Sequence, residues 1–230
     1  MKTIGIIGAM EEEIISIKEK MDIISAKNIV GVDFYMGKMN GTSIILVRSG
    51  IGKVNAAICV QALVDLYAVD YVINVGVAGA LSKDLDIGDI VVSTDLVQHD
   101  MDTSAFGDPL GTIPRMAESF FPADPELQKI ALTAGETIGA KMVTGRIASG
   151  DCFVSDNARK QKIQSLFKAQ CVEMEGAAIA HACYLNKIPF VVIRAISDRA
   201  DDAANTSFEK FVVQAAKNSS AIVEQMIQLL

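Results

Sequence analysis

Residues 190–198 read FVVIRAISD, a run of Phe, Val and Ile that stops abruptly at a serine and an aspartate. Strands buried on both faces of a mainly parallel sheet have this composition, because neither face meets water. Six further stretches share it: TIGIIGAM (3–10), SIILVRSGIG (43–52), YVINVGVAGA (71–80), DIVVST (89–94), GRIASGD (145–151) and CVEMEG (171–176). We therefore predict a strand in each of these seven stretches.

Helical patterns lie between many of these runs. We predict helices over 12–21, 53–67 and 175–186, and a long last helix from about residue 207. Thr206 and Glu209 have the spacing of a capping box at that last start. A parallel strand can be rejoined only through a long crossover, so the alternation predicts an α/β fold. The length of 230 residues suits a single domain over residues 1–230.

The composition restricts the partners. Hydrophobic residues make up 50% of the chain, charged residues 21%, and the formal net charge is −7. An acidic chain without a cluster of Lys or Arg is a poor match for nucleic acid. No apolar run approaches the roughly 18 residues of a membrane helix, and the N-terminal run is too short for a secretory signal. We expect a soluble cytoplasmic protein that binds a small molecule, with no nucleic-acid or membrane partner.

The candidate metal ligands are four cysteines and two histidines: Cys59, Cys152, Cys171, Cys183, His99 and His181. No two cysteines form a C-x-x-C pair, and neither histidine stands at ligand spacing from a cysteine. We predict no metal site and interpret the cysteines as reduced core residues of a cytosolic protein.

The stretch from Gln98 to Glu126 differs from the rest. It is rich in Asp, Gly, Pro and aromatic residues and has no sustained period. A loop of this length in a compact domain is usually functional or contacts a partner. We predict a substrate lid or a subunit interface, with an ordered surface loop as the alternative.

Acidic side chains follow several of the predicted strands. In open parallel sheets the ligand crevice lies beyond the carboxyl ends of the strands. The strand ends here carry Glu11–Glu13, Ser49–Gly52, Ala78–Gly79, Glu173–Glu175 and Ser197–Asp198. Carboxylates gathered in a dry cleft raise the pKa of at least one of them, which produces a proton donor at neutral pH.

Each acidic group also has an ordinary structural interpretation. Glu11 to Glu13 open a helix, where acidic residues favourably meet the helix dipole. Asp198 could belong to a simple charged turn. Glu173 and Glu175 are harder to explain this way, because alternation around Met174 places them on one side of an apolar segment. Buried carboxylates without partners are costly and therefore indicate a use.

The turn Gly50-Ile51-Gly52 does not match the phosphate-loop templates. The dinucleotide fingerprint needs a third glycine where Asn55 stands, and the Walker pattern needs Ser or Thr where Val54 stands. This excludes a nicotinamide oxidoreductase and a nucleoside triphosphatase, and we predict no cofactor.

Seven motifs together carry a family resemblance: GIIGAMEEE, SGIGKVNAA, NVGVAGAL, HDMDTSAFG, SGDCFV, VEMEGAAIAH and VVIRAISDRAD. In this order they resemble the 5′-methylthioadenosine/S-adenosylhomocysteine nucleosidases of the purine nucleoside phosphorylase superfamily. The resemblance runs from Thr3 nearly to the C-terminus. It implies a three-layer α/β/α sandwich with a central mixed, mainly parallel sheet, hydrolysis of a purine nucleoside by water, and a homodimer.

The resemblance also implies catalytic roles. Glu13 matches the glutamate that activates the attacking water, and Arg194 would help to order that water. Asp198 matches the general acid that protonates or hydrogen-bonds N7 of adenine, with Ser197 orienting it. General acid catalysis typically contributes about 10²–10⁴-fold, and it requires a raised pKa at Asp198. Glu175 matches the glutamate that binds the ribose hydroxyls, where its charge stabilises positive charge on the sugar.

Residues that hold the base and ribose follow from the same motifs. Met174 lies against the ribose in this resemblance, Phe153 stacks on adenine, and backbone groups at Val154 read the edge of the base. The ordinary interpretation of the Phe153–Val154 pair is core. The remaining implied binding residues are Val77, Ala78, Gly79, Glu173 and Ala200.

The pocket for the 5′-alkylthio group is implied to be apolar. Met10, Ile51 and Phe208 would line it, and Phe106 and Pro114 from the long loop of the second subunit would complete it.

Two positions depart from the family pattern, and several activities stay open. Val77 occupies the place of a serine in some members, and Ala80 replaces a glycine. A phosphorylase of the same fold is a rival, with Arg48 and Lys53 as possible phosphate ligands, but a carboxylate from AMEEE would repel phosphate. A silent nucleoside-binding protein would not need both an acid and a base. The substrates 5′-deoxyadenosine and 6-amino-6-deoxyfutalosine remain alternatives.

Overall fold

The structure is a computed structural model that describes residues 2–230. Over these residues the strands are β1 (Thr3–Gly8), β2 (Asp22–Ile29), β3 (Val32–Met39), β4 (Thr42–Arg48), β5 (Tyr71–Ala80), β6 (Ile90–Gln98), β7 (Phe120–Pro122), β8 (Met142–Ser149), β9 (Cys171–Glu173) and β10 (Phe190–Asp198). The helices are α1 (Glu11–Lys20), α2 (Lys53–Tyr67), α3 (Pro125–Ile138), α4 (Asn157–Phe167), α5 (Gly176–Asn186) and α6 (Ala204–Leu229). All seven predicted strands are present.

The strands form one mixed sheet in the order β10-β6-β8-β9-β5-β1-β4-β3-β2, with β7 paired to β6. Strand β10 also pairs with β5, so β5, β9, β8, β6 and β10 close into a ring. Parallel pairing joins β4, β1, β5 and β10, as expected for strands that carry a site at their carboxyl ends. Over the whole sheet antiparallel pairing is equally frequent, because β2, β3 and β7 pair in this way and so do β10 with β6 and β5 with β9.

Helices cover the sheet on both faces, which confirms the three-layer α/β/α architecture. Successive residues of a strand point to opposite faces, and here Ile6 and Leu46 pack with α1, α3 and α6 while Ile7 and Val47 pack with α2 and α5. A smaller cluster lies under α4. The sheet takes its strands from both ends of the described chain. A single domain over residues 1–230 stays a prediction.

The meander β2-β3-β4 contains two strands, β2 and β3, that were not predicted. Its two turns have φ of 50° and 83° at Val30-Gly31 and of 51° and 84° at Asn40-Gly41, the values of type I′ hairpin turns. Asn40-Gly41 was a usable signal for such a turn. β2 itself is exposed at most positions, so it lacks the apolar run on which the strand predictions depended.

The predicted helices are confirmed, but the start of α6 is not where its capping box was expected. The helix begins at Ala204 with Ala203 as its N-cap, so Thr206 lies inside the first turn and caps nothing. Helices α3 and α4 were not predicted. Each has an aspartate N-cap: Asp124 accepts from the backbone of Glu126 and Leu127, and Asp156 accepts from Arg159.

The long loop is largely irregular between β6 and β7, as expected. It contains a short 3-10 helix (Ser104–Phe106), and then β7 and the start of α3 restore regular structure. No helix within the described chain is long and apolar enough to cross a membrane.

Candidate active site

A cavity of about 100 Å³ opens where the carboxyl ends of β1, β5 and β10 meet the end of β9. Most of the predicted site residues line it: Met10, Glu13, Ile51, Val77, Ala78, Gly79, Phe153, Glu173, Met174, Glu175, Ser197, Asp198 and Phe208. Ala9 and Val172 also line it and were not predicted. Both follow or lie within the strands used for the prediction, so the strand-end rule could have included them.

β9 reaches this cavity in a way the strand-end rule does not describe. It runs antiparallel to β5, with Val172 opposite Gly79 and Cys171 opposite Ala80. Its carboxyl end therefore arrives from the opposite direction to that of β5. The two ends still meet, because β9 is only three residues long and its pairing with β5 is confined to Gly79 and Ala80, at the carboxyl end of that strand.

Glu13 is the buried carboxylate of α1, with 3% of its surface exposed. Its Oε2 accepts from the backbone N–H of Ala9 at 2.6 Å and of Met10 at 3.0 Å, and Oε1 accepts from that of Val77 at 3.0 Å. Burial raises the pKa of Glu13, against the opposing effects of Arg194 and the N–H donors. The interpretation of a solvated helix cap is therefore wrong for Glu13, although it holds for the exposed Glu12.

Arg194 is buried behind the carboxylates and does not line the cavity. Its Nη2 donates to Asn74 Oδ1 at 2.6 Å and to Glu173, and Glu175 Oε2 lies 3.9 Å away. Nε and Nη1 have no partner among residues 2–230. A Cβ at Gly76 would overlap both Nη1 and the Glu13 carboxylate, so this unused Nη1 donor lies beside that carboxylate.

Glu173 is held by protein groups on all sides. Its Oε2 accepts from the backbone N–H of Glu175 at 3.0 Å and of Gly176 at 2.7 Å, and Ser149 donates to Oε1. Burial alone would raise the pKa of Glu173, but Arg194 and these donors hold it below its usual range. Glu173 is thus an ionised carboxylate whose hydrogen bonds go to the protein.

Glu175 has the opposite ionisation. Its Oε1 accepts from the backbone N–H of Gly52 at 2.8 Å. Burial, and then the charge of Glu173, raise the pKa of Glu175 to about 8. The carboxyl group is therefore mostly protonated at pH 7, whereas the sequence predicted a charged group there.

This shift predicts how stability changes with pH. A carboxyl group whose pKa is raised in the folded state binds more protons there than in the unfolded state. Its contribution to the stability of the fold is therefore present at low pH and lost as pH rises. For Glu175 that loss should extend from its ordinary 4.5 to about 8. Glu175→Gln, which cannot ionise, should reduce the fall in melting temperature between about pH 5 and pH 8. Calorimetry of the wild type, Glu175→Gln and the control Glu12→Gln tests this. The same slope of melting temperature against pH in all three proteins would contradict it.

Asp198 ends β10 and is 2% exposed. The pairing of β10 with β5 shifts register between Ile196 and Asp198, and this irregularity sets Asp198 against Gly79. Asp198 Oδ1 accepts from the Ala200 N–H at 2.8 Å, and Oδ2 accepts from Ser197 Oγ at 2.9 Å. Burial raises the pKa of Asp198 above its usual range, as a proton donor requires. The interpretation of a solvated charged turn is wrong for this residue.

Apolar side chains form the outer wall of the cavity. The rings of Phe153 and Phe208 meet edge to face, with centroids 5.6 Å apart. Ile51 is 53% exposed, so the cavity is open on this side. Val154 lines a smaller adjoining cavity of about 30 Å³ together with Phe153 and Met174.

Besides Val154, three predicted binding residues do not line the main cavity. Ala200 is fully buried and reaches the site only through its N–H bond to Asp198. Phe106 is 89% exposed and Pro114 is also exposed, and neither lines a cavity wall with the other site residues.

The cations considered as phosphate ligands are engaged elsewhere. Arg48 pairs with Glu11 at 3.3 Å, and Lys53 pairs with Asp100 at 2.6 Å. Over the described residues no Lys or Arg side chain lines the cavity. A polyanion would therefore meet carboxyl groups without a free cation.

The chain is similar to known proteins over nearly its whole length. The model of the phosphorylase superfamily matches residues 3–228. A 5′-methylthioadenosine/S-adenosylhomocysteine nucleosidase of Staphylococcus carnosus is 43% identical over 99% of this chain and 100% of its own length. The nucleosidase of that name from Neisseria meningitidis, solved with methylthio-immucillin-A, has a TM-score of 0.97 at 40% identity, covering 100% of both chains. A futalosine hydrolase of Helicobacter pylori has a TM-score of 0.96 at 40% identity, covering 100% of this chain and 98% of its own.

Proposed function

Because the chain belongs to the phosphorylase superfamily, and within it to the 5′-methylthioadenosine/S-adenosylhomocysteine nucleosidases, we propose that it hydrolyses the N-glycosidic bond of those two nucleosides. The products are adenine and the 5-thio-substituted ribose, so the enzyme acts in methionine salvage and in recycling the by-products of S-adenosylmethionine. One observation carries the proposal: two buried carboxyl groups, Glu13 and Asp198, line a single cavity to whose wall residues 2–230 contribute no cationic side chain.

Asp198 is the proposed general acid. Cleavage of the bond between C1′ and N9 leaves its electron pair on adenine, and a proton delivered to N7 stabilises that leaving group. The raised pKa of Asp198 keeps the proton available. The Ser197 hydroxyl and the Ala200 N–H fix the orientation of the carboxyl group.

Glu13 is the proposed base. Water attacks C1′ and its proton passes to Glu13, whose carboxylate is aligned by three backbone N–H groups. The unpartnered Nη1 of Arg194, beside that carboxylate, is suited to orient the water. Val77 has no hydroxyl to offer the water, but its N–H holds Glu13, so the departure from serine spares this alignment.

The remaining wall suits the rest of the nucleoside. Glu175 is proposed to bind the ribose hydroxyls; positive charge developing on the sugar would favour its ionised form. Phe153 is proposed to stack on adenine and Met174 to contact the ribose. The apolar side chains of Met10, Ile51 and Phe208 fit the 5′-alkylthio group.

We also propose a homodimer in which Phe106 and Pro114 complete the site of the neighbouring subunit. Support comes from the open side of the cavity at Ile51 and from the exposure of Phe106, an aromatic side chain that a monomer would leave in water. Sedimentation of the purified protein tests this assembly. A cytoplasmic location is supported by the four cysteines, which are all free thiols.

Two alternatives differ in their support. A phosphorylase is disfavoured, because Arg48 and Lys53 are paired with carboxylates away from the cavity. Hydrolysis of 6-amino-6-deoxyfutalosine is a second candidate activity, favoured by the similarity to a protein named futalosine hydrolase.

The decisive experiment is adenine release from 5′-methylthioadenosine in phosphate-free buffer and again with added phosphate. We expect equal release in both buffers, with free 5-methylthioribose as the sugar product. Release that depends on phosphate and yields the sugar 1-phosphate would instead establish a phosphorylase. If no adenine appears, 6-amino-6-deoxyfutalosine is the next substrate to test.

A further inference from the structure

Helix α6 contacts the helix that carries Glu13 through a buried hydroxyl group. Ser220 of α6 is fully buried, and its Oγ donates to the backbone carbonyl of Glu13 at 2.9 Å. The two residues are 207 positions apart in the chain. A buried hydroxyl usually satisfies itself within its own helix, so a bond to another helix specifies how the two helices meet.

A second polar contact fixes the same pair of helices further along. Glu224, one turn after Ser220, accepts from Ser16 Oγ at 2.9 Å and from Lys20 Nζ at 2.5 Å. Both donors belong to α1. Helix α1 is therefore held to α6 at two places along its length. The first of them is at Glu13, the residue that faces the cavity.

The position of α1 decides whether the Glu13 carboxylate is aligned. Two of its three N–H donors, at Ala9 and Met10, belong to the short segment that joins β1 to α1, and the third, at Val77, belongs to β5. A shift of α1 relative to the sheet would therefore lengthen the bond to Val77 and separate Glu13 from Arg194. Displacement of about 1 Å at a catalytic group can cost about 10²-fold in rate.

We propose that Ser220 is a positioning residue for Glu13: its hydrogen bond to the Glu13 backbone holds the first turn of α1 so that the carboxylate remains aligned for water activation. This inference rests on the proposed function. The bond also connects the helix of the base Glu13 with α6, which begins shortly after the acid Asp198 and places Phe208 in the cavity wall.

The neighbouring Ser219 provides a matched control. It is also fully buried, but its Oγ donates to the Ala216 carbonyl at 3.0 Å within α6. Ser219→Ala removes a buried hydroxyl from the same helix without touching α1. A purely structural role would make the two alanine variants alike in activity.

The test measures kcat and KM for 5′-methylthioadenosine, the pH profile of kcat and the melting temperature for Ser220→Ala, Ser219→Ala and Ser220→Thr. We expect Ser220→Ala to lower kcat about tenfold and to keep KM within about twofold of wild type. A tenfold loss in rate corresponds to the free energy of about one hydrogen bond. The acidic limb of its pH profile of kcat should move, because that limb reports the ionisation of the base. Ser219→Ala should keep wild-type kcat, and Ser220→Thr, which retains the hydroxyl, should recover most of it.

Equal kcat in Ser220→Ala and Ser219→Ala would overturn the inference, as would a loss that appears only in KM. If Ser220→Ala does not fold, Glu224→Gln, which loosens the same helix pair one turn on, should lower kcat in the same direction, and an unchanged kcat there would also overturn it. Failure of the wild-type protein to release adenine would contradict the proposed function instead, so the two failures are distinguishable.

Discussion

Asp198→Asn should lose most of its turnover of 5′-methylthioadenosine, with kcat lower by about 10²–10⁴-fold, the range for loss of a general acid. Asparagine keeps an oxygen to accept from the Ala200 N–H, so the side chain should keep its place, but it has no acidic proton for the leaving adenine. KM should change little. Steady-state adenine release provides the measurement, and Asp202→Asn, an exposed aspartate of the same loop, is the matched control.

The pH dependence of activity is a second test of Asp198 as the general acid. Because burial raises the pKa of Asp198, its proton is lost, and wild-type activity should fall, as pH rises through that folded-state value. The ionised form also carries a cost of burial, so Asp198→Asn should be at least as stable as wild type at alkaline pH. Wild-type turnover in Asp198→Asn, or an alkaline limb unchanged in its residual activity, would contradict the assignment.

Glu13→Gln should also lower kcat by about 10²-fold or more, because an amide cannot take the proton of the attacking water. This substitution should also destabilise the fold. The carboxylate accepts from N–H groups on both of its oxygens, and a glutamine must turn its NH₂ towards at least one of those donors. An unsatisfied buried donor costs about 1–3 kcal/mol, so the melting temperature should drop.

The control for Glu13→Gln is Glu12→Gln, one residue earlier on α1 and exposed. It should match wild type in both kcat and melting temperature. The two catalytic substitutions combined should cost less than the product of their separate effects, because acid and base act in one step. A Glu13→Gln protein with wild-type kcat would rule out Glu13 as the base.

Ionisation illustrates what the sequence could and could not predict. Glu173, Glu175 and Asp198 were all recognised as candidates from their positions after apolar runs. Their protonation differs because only Glu173 accepts a hydrogen bond from Arg194 and two more from backbone N–H groups, whereas Glu175 is buried beside the charge of Glu173. Two residues apart in the chain, the two carboxyl groups have opposite shifts.

The sequence by itself determined the fold class, the seven buried strands and most of the cavity lining, because burial on both faces requires continuous apolar runs and because strand ends bring residues to one edge. Only the tertiary structure decided the exposed strand β2, the approach of β9 from the opposite direction, the pKa values and the contact of Ser220 with Glu13. These depend on pairing, burial and contacts between residues far apart in the chain, and none of them leaves a local period in the sequence.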